Sequence, residues 1–204
     1  VRTLVGTALD HGIDFFDHAD IYGSDIHGCE RRFAEALNLS PSQRSEITLQ
    51  TKAGIVPSGP YFDFSHDHIV EAVEGSLKAL ATDYIDILLL HRPDALVEPE
   101  EVAKAFDELE AAGKVRAFGV SNHTPGQIEL LKRHVRQPLV ANQVQLSITH
   151  APIIAQGVAM NMAALEQSLS RDLGVLDYCR LHDITVQAWS PFQAGFFTGV
   201  FLGS

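Results

Sequence analysis

Short apolar runs alternate along this chain with stretches in which apolar residues recur every three or four positions. The runs are Ile13–Ala19, Ile47–Lys52, Ile85–His91, Val115–Ser121, Leu139–Gln145 and Ile184–Ser190. Each has the length and composition of a β-strand. Ile85–Leu90 is nearly continuous in its hydrophobicity, as expected of a parallel strand buried on both faces. The stretches between them predict helices. Val1–Gly12 reads as an amphipathic helix, and Ile69, Ala72, Val73, Leu77 and Leu80 share one helical face. Pro99 stands near the start of the next helix and Gly113 just past its end. Thr124 and Gln127 form a capping box ahead of Ile128 and Leu131, with Pro125 at the first helical position. Gly174–His182 is the helix that feeds the last strand.

Strand and helix in strict alternation imply parallel strands joined by right-handed crossovers. An open doubly wound sheet and a closed barrel both satisfy that rule. The first would carry a G-x-G-x-x-G turn after its first strand, and the chain has none. Instead, Asp17, Lys52, His91, Ser121, Gln143 and Ser190 stand at the C-terminal ends of successive strands. A (β/α)8 TIM barrel collects its active site from those ends. The expected fold is therefore α/β, a (β/α)8 TIM barrel incomplete at both ends, with residues 1–204 forming a single truncated barrel domain. Six strands are counted where such a barrel has eight and typically about 250 residues. The chain opens with Val1 inside a helix and stops shortly after a strand and loop. Six strands leave two unpaired edges, so the isolated chain is expected to be poorly soluble and weakly active or inactive.

Composition narrows the function. At 46% hydrophobic residues the chain is an ordinary globular protein. Its net charge of -11 repels phosphate backbones and anionic lipid, which excludes nucleic acid and membrane as partner classes. Two distant cysteines, Cys29 and Cys179, make no disulfide framework and point to the cytoplasm; both are expected to be buried small hydrophobes.

The strand ends hold a coherent chemistry. Asp17 ends the first strand and Tyr22 follows five positions later in the loop above it; Lys52 and His91 end the next two strands. On a barrel these four converge at the mouth. A tyrosine titrates near pH 10, so it is a poor acid or base until a nearby ammonium favours the phenolate. A carboxylate beside the lysine keeps it charged, and a histidine can hold a carbonyl oxygen or assist proton transfer. Taken singly, each residue has a plainer explanation. Asp17 could cap a turn, Lys52 could be a solvated surface residue, and His91 could be a satisfied loop histidine. Trp189 could belong to the core, and Ser121 with Asn122 could be a turn pair.

Together, Asp17, Tyr22, Lys52 and His91 resemble the tetrad of the aldo-keto reductase family. The strings F-D-H-A-D-I-Y-G, L-Q-T-K, L-L-L-H-R-P, G-K-V-R-A-F-G-V-S-N, N-Q-V-Q and Q-A-W-S-P-F occur in the family's order from Ile13 onward. The likeness is to its bacterial oxidoreductases. It implies an NADPH-dependent reduction of a small aldehyde or ketone, with NADH left open. By this resemblance Tyr22 is the general acid, Lys52 held by Asp17 lowers its pKa, and His91 orients the carbonyl. Ser121, Asn122 and Gln143 bind the nicotinamide carboxamide, Trp189 stacks on the ring, and Ser190, Phe192 and Gln193 line the pyrophosphate stretch. No metal ligands are implied. His123 follows Ser121-Asn122 where relatives often have a bulky hydrophobic residue, which suggests a substrate-facing variation.

Other features are given local roles. His66 and His68 cap a helix start; His150 and His182 are structural or solvent-facing. The stretch Ser147–Asp172 has no clear period and reads as a substrate-covering loop or a plain connector. Two other functions fit a barrel of this kind. A metal-dependent hydrolase would use Asp17, His18, Lys52, His91 and His123, but the strand ends carry no H-x-H. A non-catalytic cofactor-binding module would keep the pocket without turnover.

Overall fold

The computed structural model describes residues 1–59, 61–160, 162, 165–168, 172–195 and 199–200. Ten strands are described: β1 (Phe15–Asp17), β2 (Thr48–Ala53), β3 (Ile55–Val56), β4 (Tyr61–Phe62), β5 (Ile85–Leu90), β6 (Val115–Ser121), β7 (Leu139–Gln145), β8 (Thr185–Trp189), β9 (Gln193–Gly195) and β10 (Gly199–Val200). The helices are α1 (Arg2–Asp10), α2 (Gly28–Leu37), α3 (Pro41–Ser45), α4 (His66–Leu80), α5 (Pro99–Ala111), α6 (Pro125–Lys132), α7 (Pro152–Val158) and α8 (Val175–Leu181).

Six strands pair in the order β1-β2-β5-β6-β7-β8, every pair parallel. Each step to the next strand passes through at least one helix, as the alternation predicts. The sheet curls. The Gln50 side chain on β2 and the Gln187 side chain on β8 hydrogen-bond to each other although three strands lie between them. The result is a half-barrel, the incomplete (β/α)8 architecture.

Apolar periodicity determines which faces are buried. Ile85, Leu88, Leu89 and Leu90 of β5 are wholly enclosed, in keeping with a central strand covered on both sides. The α4 residues Ile69, Val73, Leu77 and Leu80 and the α5 residues Val102, Phe106 and Leu109 join the same core. Phe106 stacks on Phe118 of β6 at 4.0 Å between ring centroids, fastening α5 to the sheet. Side chains set the helix starts: Ser65 accepts from the His68 backbone at the head of α4. The box of Thr124 and Gln127 caps α6, and Ser40 and Gln43 form a second box at α3. Gly119 lies where the β6–β7 register shifts; a Cβ there would stand 2.7 Å from the Ala141 carbonyl oxygen.

The sequence pattern does not foretell several elements. β3 and β4 form a small antiparallel hairpin directly after Lys52-Ala53-Gly54, and β9 with β10 forms another. The stretch Ser147–Asp172 contains α7 and a 3-10 turn at Glu166–Ser168 rather than only loop; Asn161 within it lies outside the described residues. No helix among the described residues is long and apolar enough to cross a membrane.

Candidate active site

Parallel pairing puts the C-terminal ends of the six strands at one rim. Asp17 ends β1, Lys52 is the penultimate residue of β2, and His91 follows β5. Ser121 ends β6, Gln143 lies in β7, and Trp189 ends β8. Asp17, Tyr22, His91, Ser121, Asn122, Gln143, Trp189 and Ser190 line one cavity of about 890 Å³.

Lys52 joins the catalytic candidates. Its side chain is wholly buried, and its Nζ donates to Asp17 Oδ2 at 2.7 Å and to the His18 carbonyl at 2.7 Å. The third donor direction is Tyr22 Oη at 3.4 Å. The Tyr22 ring meets His91 edge-on, with centroids 5.7 Å apart. Asp17 is held further by Gln50 Nε2 at 2.6 Å and Gln143 Nε2 at 3.1 Å. One ammonium and two amide donors fix this carboxylate in place.

The electrostatics correct one sequence expectation. Burial, and then the Asp17 charge, push the Tyr22 phenol up to about 12 rather than down. Arg92 opposes them without prevailing. Asp17 neutralises much of the Lys52 charge that was expected to favour the phenolate, and desolvation wins. Burial also pulls the Lys52 ammonium down while Asp17 pulls it back up. His91 is held down to about 3 by burial, aided by Lys52 and Arg92, so it is a neutral imidazole near pH 7. Its Nδ1 is buried and has no hydrogen-bond partner among the described residues.

A second run of bonds borders the cavity. The Trp189 indole N–H donates to Asn122 Oδ1 at 2.9 Å, Asn122 Nδ2 to Ser121 Oγ at 2.8 Å, and Ser121 Oγ to the Gln143 carbonyl at 2.9 Å. Asn122 adopts a left-handed backbone, φ 60°, that Asn tolerates better than most residues. A hydroxyl and two side-chain amides beside an indole ring suit a planar ring that bears a carboxamide. These residues fit a nicotinamide. Ser190 lines the cavity rim, whereas Phe192 is 58% exposed and lies away from the cavity lining. The backbone of Gln193 starts β9; its side chain is outside what is described.

His123 departs from its expected place. It is buried, its Nδ1 bonds to the Ser121 carbonyl at 2.9 Å, and its ring stacks over Phe64. Burial holds its pKa down to about 4. It lines a side cavity of about 500 Å³, together with Arg92, His150, Ile153 and Asp172, instead of the main one. Cys179 is buried as expected, whereas Cys29 is partly exposed. His66 binds Asp67 and Glu108 at the start of α4.

Three residues were missed. Gln50 stands two positions before Lys52 and Gln187 two before Trp189; the two-residue period of a strand puts each on the same face as its partner, and that signal was available. Arg92 lines both cavities, and nothing in the sequence marks it beyond its place after His91.

A model described as the Aldo/keto reductase family matches residues 1–202, and the chain belongs to that family. It is 43% identical over 201 residues to the Uncharacterized oxidoreductase YcsN of Bacillus subtilis, covering 95% of this chain and 61% of that protein. It is 38% identical over 196 residues to the 6-dehydroglucose reductase of Novosphingobium aromaticivorans, covering 94% of this chain and 59% of the relative. Among solved structures, it is similar to an aldo/keto reductase from Klebsiella pneumoniae in complex with NADP and acetate. That match has a TM-score of 0.68 and 25% identity, over 92% of this chain and 56% of that one. The chain thus spans between half and two thirds of the length of these relatives.

Proposed function

We propose that the protein reduces a small aldehyde or ketone to an alcohol with NADPH as cofactor. The observation that carries this reading is the run Asp17–Lys52–Tyr22 at the cavity wall, with bonds of 2.7 and 3.4 Å. When bound, the nicotinamide supplies a hydride. Tyr22 holds a proton on Oη, and with its pKa near 12 it is fully loaded at neutral pH. As a carbonyl oxygen gains negative charge beside it, Tyr22 can give up that proton, and the Lys52 ammonium 3.4 Å away stabilises the phenolate left behind. Neutral His91 can donate or accept one hydrogen bond at the same oxygen without adding charge. Ser121, Asn122, Gln143 and Trp189 would hold the ring and its carboxamide against the cavity wall. The Klebsiella relative with NADP supports the choice of cofactor, and the 6-dehydroglucose reductases suggest that an oxidised sugar belongs in the substrate panel.

The metal-hydrolase reading finds little support. Three donors engage Asp17, and among the described residues no group of three His, Cys, Asp or Glu side chains is placed to hold an ion.

The test is NADPH oxidation by the full-length protein with a panel of aldehydes and ketones, beside Tyr22→Phe. Loss of a general acid is expected to lower kcat by about 100-fold or more while NADPH still binds. Binding without turnover on any substrate would replace the reductase with a cofactor-binding module.

A further inference from the structure

Arg92 is a cation of the cavity with no counter-ion among the described residues. Among the described residues lining the 890 Å³ cavity, Asp17 and Arg92 carry charge, and Asp17 is paired with Lys52. Arg92 is partly buried, yet among the described residues no carboxylate pairs with it and no acceptor takes its N–H groups. The Trp189 ring lies beside it, 5.7 Å from Cζ to centroid. Asp172 lines the side cavity with Arg92, and no ion pair joins them. The contrast with Arg44 is direct. That arginine is also withdrawn from solvent, and it is bound by Asp86 at 2.7 Å, Thr82 at 2.9 Å and the carbonyls of Ile47 and Tyr84 at 3.0 and 2.9 Å.

A guanidinium carries five donors in a planar fork suited to a carboxylate or phosphate. Removing such a group from water without partners is costly. An arginine left open in a cavity, one residue from His91, has the chemistry of an anion receptor. Its charge also reaches both Tyr22 and His91, lowering the pKa of each. We propose that Arg92 binds a carboxylate on the carbonyl substrate, so that the preferred substrates are aldehydes or ketones bearing an acid group. The proposal rests on the reductase reading above. A cofactor phosphate has the same chemistry as a partner. The phosphates of a dinucleotide, however, lie beyond a ribose from the nicotinamide, whereas Arg92 directly follows His91 in the chain and its charge reaches both His91 and Tyr22.

The experiment compares kcat/KM for 4-carboxybenzaldehyde and its methyl ester in the full-length protein, in Arg92→Gln and in Arg92→Lys, with NADPH affinity measured for each. The acid-to-ester ratio is expected to fall by about ten-fold or more in Arg92→Gln, the loss of a charge-assisted bond, and to recover in part in Arg92→Lys. An unchanged ratio overturns the proposal. So does an equal loss on both substrates together with weaker NADPH binding, which would assign Arg92 to a phosphate. If neither aldehyde is turned over, the reductase reading is decided by the wider panel above, and benzoate binding by calorimetry decides the anion site. Binding about ten-fold weaker in Arg92→Gln supports it, and equal binding removes it.

Discussion

Gln50 and Gln187 face each other across the curled sheet, each Nε2 donating to the other's Oε1 at 2.9 Å. The pair does more than close the curl. Gln187 Oε1 also accepts from Gln143 at 3.2 Å, and both Gln50 and Gln143 donate to Asp17. Three amides thus form a layer beneath the Asp17–Lys52 pair.

Replacing Gln187 with Leu would keep the volume and remove both amide partners. The expected cost is about 1–3 kcal/mol, the penalty for leaving a buried polar group unsatisfied. Urea denaturation of Gln187→Leu beside the parent would read it. A variant as stable as the parent would show that the layer contributes nothing to the fold.

Asp20 offers a test through pH. It is 4% exposed, one of its oxygens has no hydrogen-bond partner among the described residues, and burial followed by the Glu30 charge pushes its pKa up to about 7. Its unfolded value is near 4. The folded state therefore holds more protons between those limits, so stability falls as pH rises through that window, and the cost is fully present above pH 7. Asp20→Asn removes the titration. Its stabilising effect is expected to be larger at pH 8 than at pH 5 by about 2–3 kcal/mol. Melting curves at the two values decide the matter: the same gain at both would contradict the assigned shift.

Gly54 joins Lys52 to the β3–β4 hairpin with a backbone φ of +112°, and a Cβ there would lie 2.0 Å from the buried Phe64 ring. Alanine is strained by the dihedral and blocked by the ring. Gly54→Ala is expected to cost about 2–4 kcal/mol. A chemical denaturation midpoint matching the parent's would show that the ring moves aside freely.

The legible and the illegible parts of this molecule differ in physical scale. β5, β6 and β7 were readable because Ile85–Leu90, Val115–Ser121 and Leu139–Gln145 carry their burial in their own composition. Asp17, Lys52 and His91 were readable because a polar residue ending an apolar strand is conspicuous at short range. The β3–β4 hairpin was not: two-residue strands among Gly54, Pro57 and Gly59 leave no period to detect. The direction of the Tyr22 pKa was missed for another reason. Counting neighbouring charges finds Lys52, but the depth of the phenol belongs to the assembled cavity. Arg92 is the extreme case, since its lack of a counter-ion among the described residues becomes visible only in the folded arrangement.

The parallel run of the six strands has an evolutionary consequence. Asp17, Lys52, His91, Ser121, Gln143 and Trp189 reach the same rim on six independent backbones, so one position can be exchanged without redirecting the main chain beneath the others. The loops beyond those ends can lengthen or change residue by residue while the apolar strands below keep the frame. Such a site can acquire new specificity in small steps, with the strand-end groups held constant and only the loops beyond them rewritten.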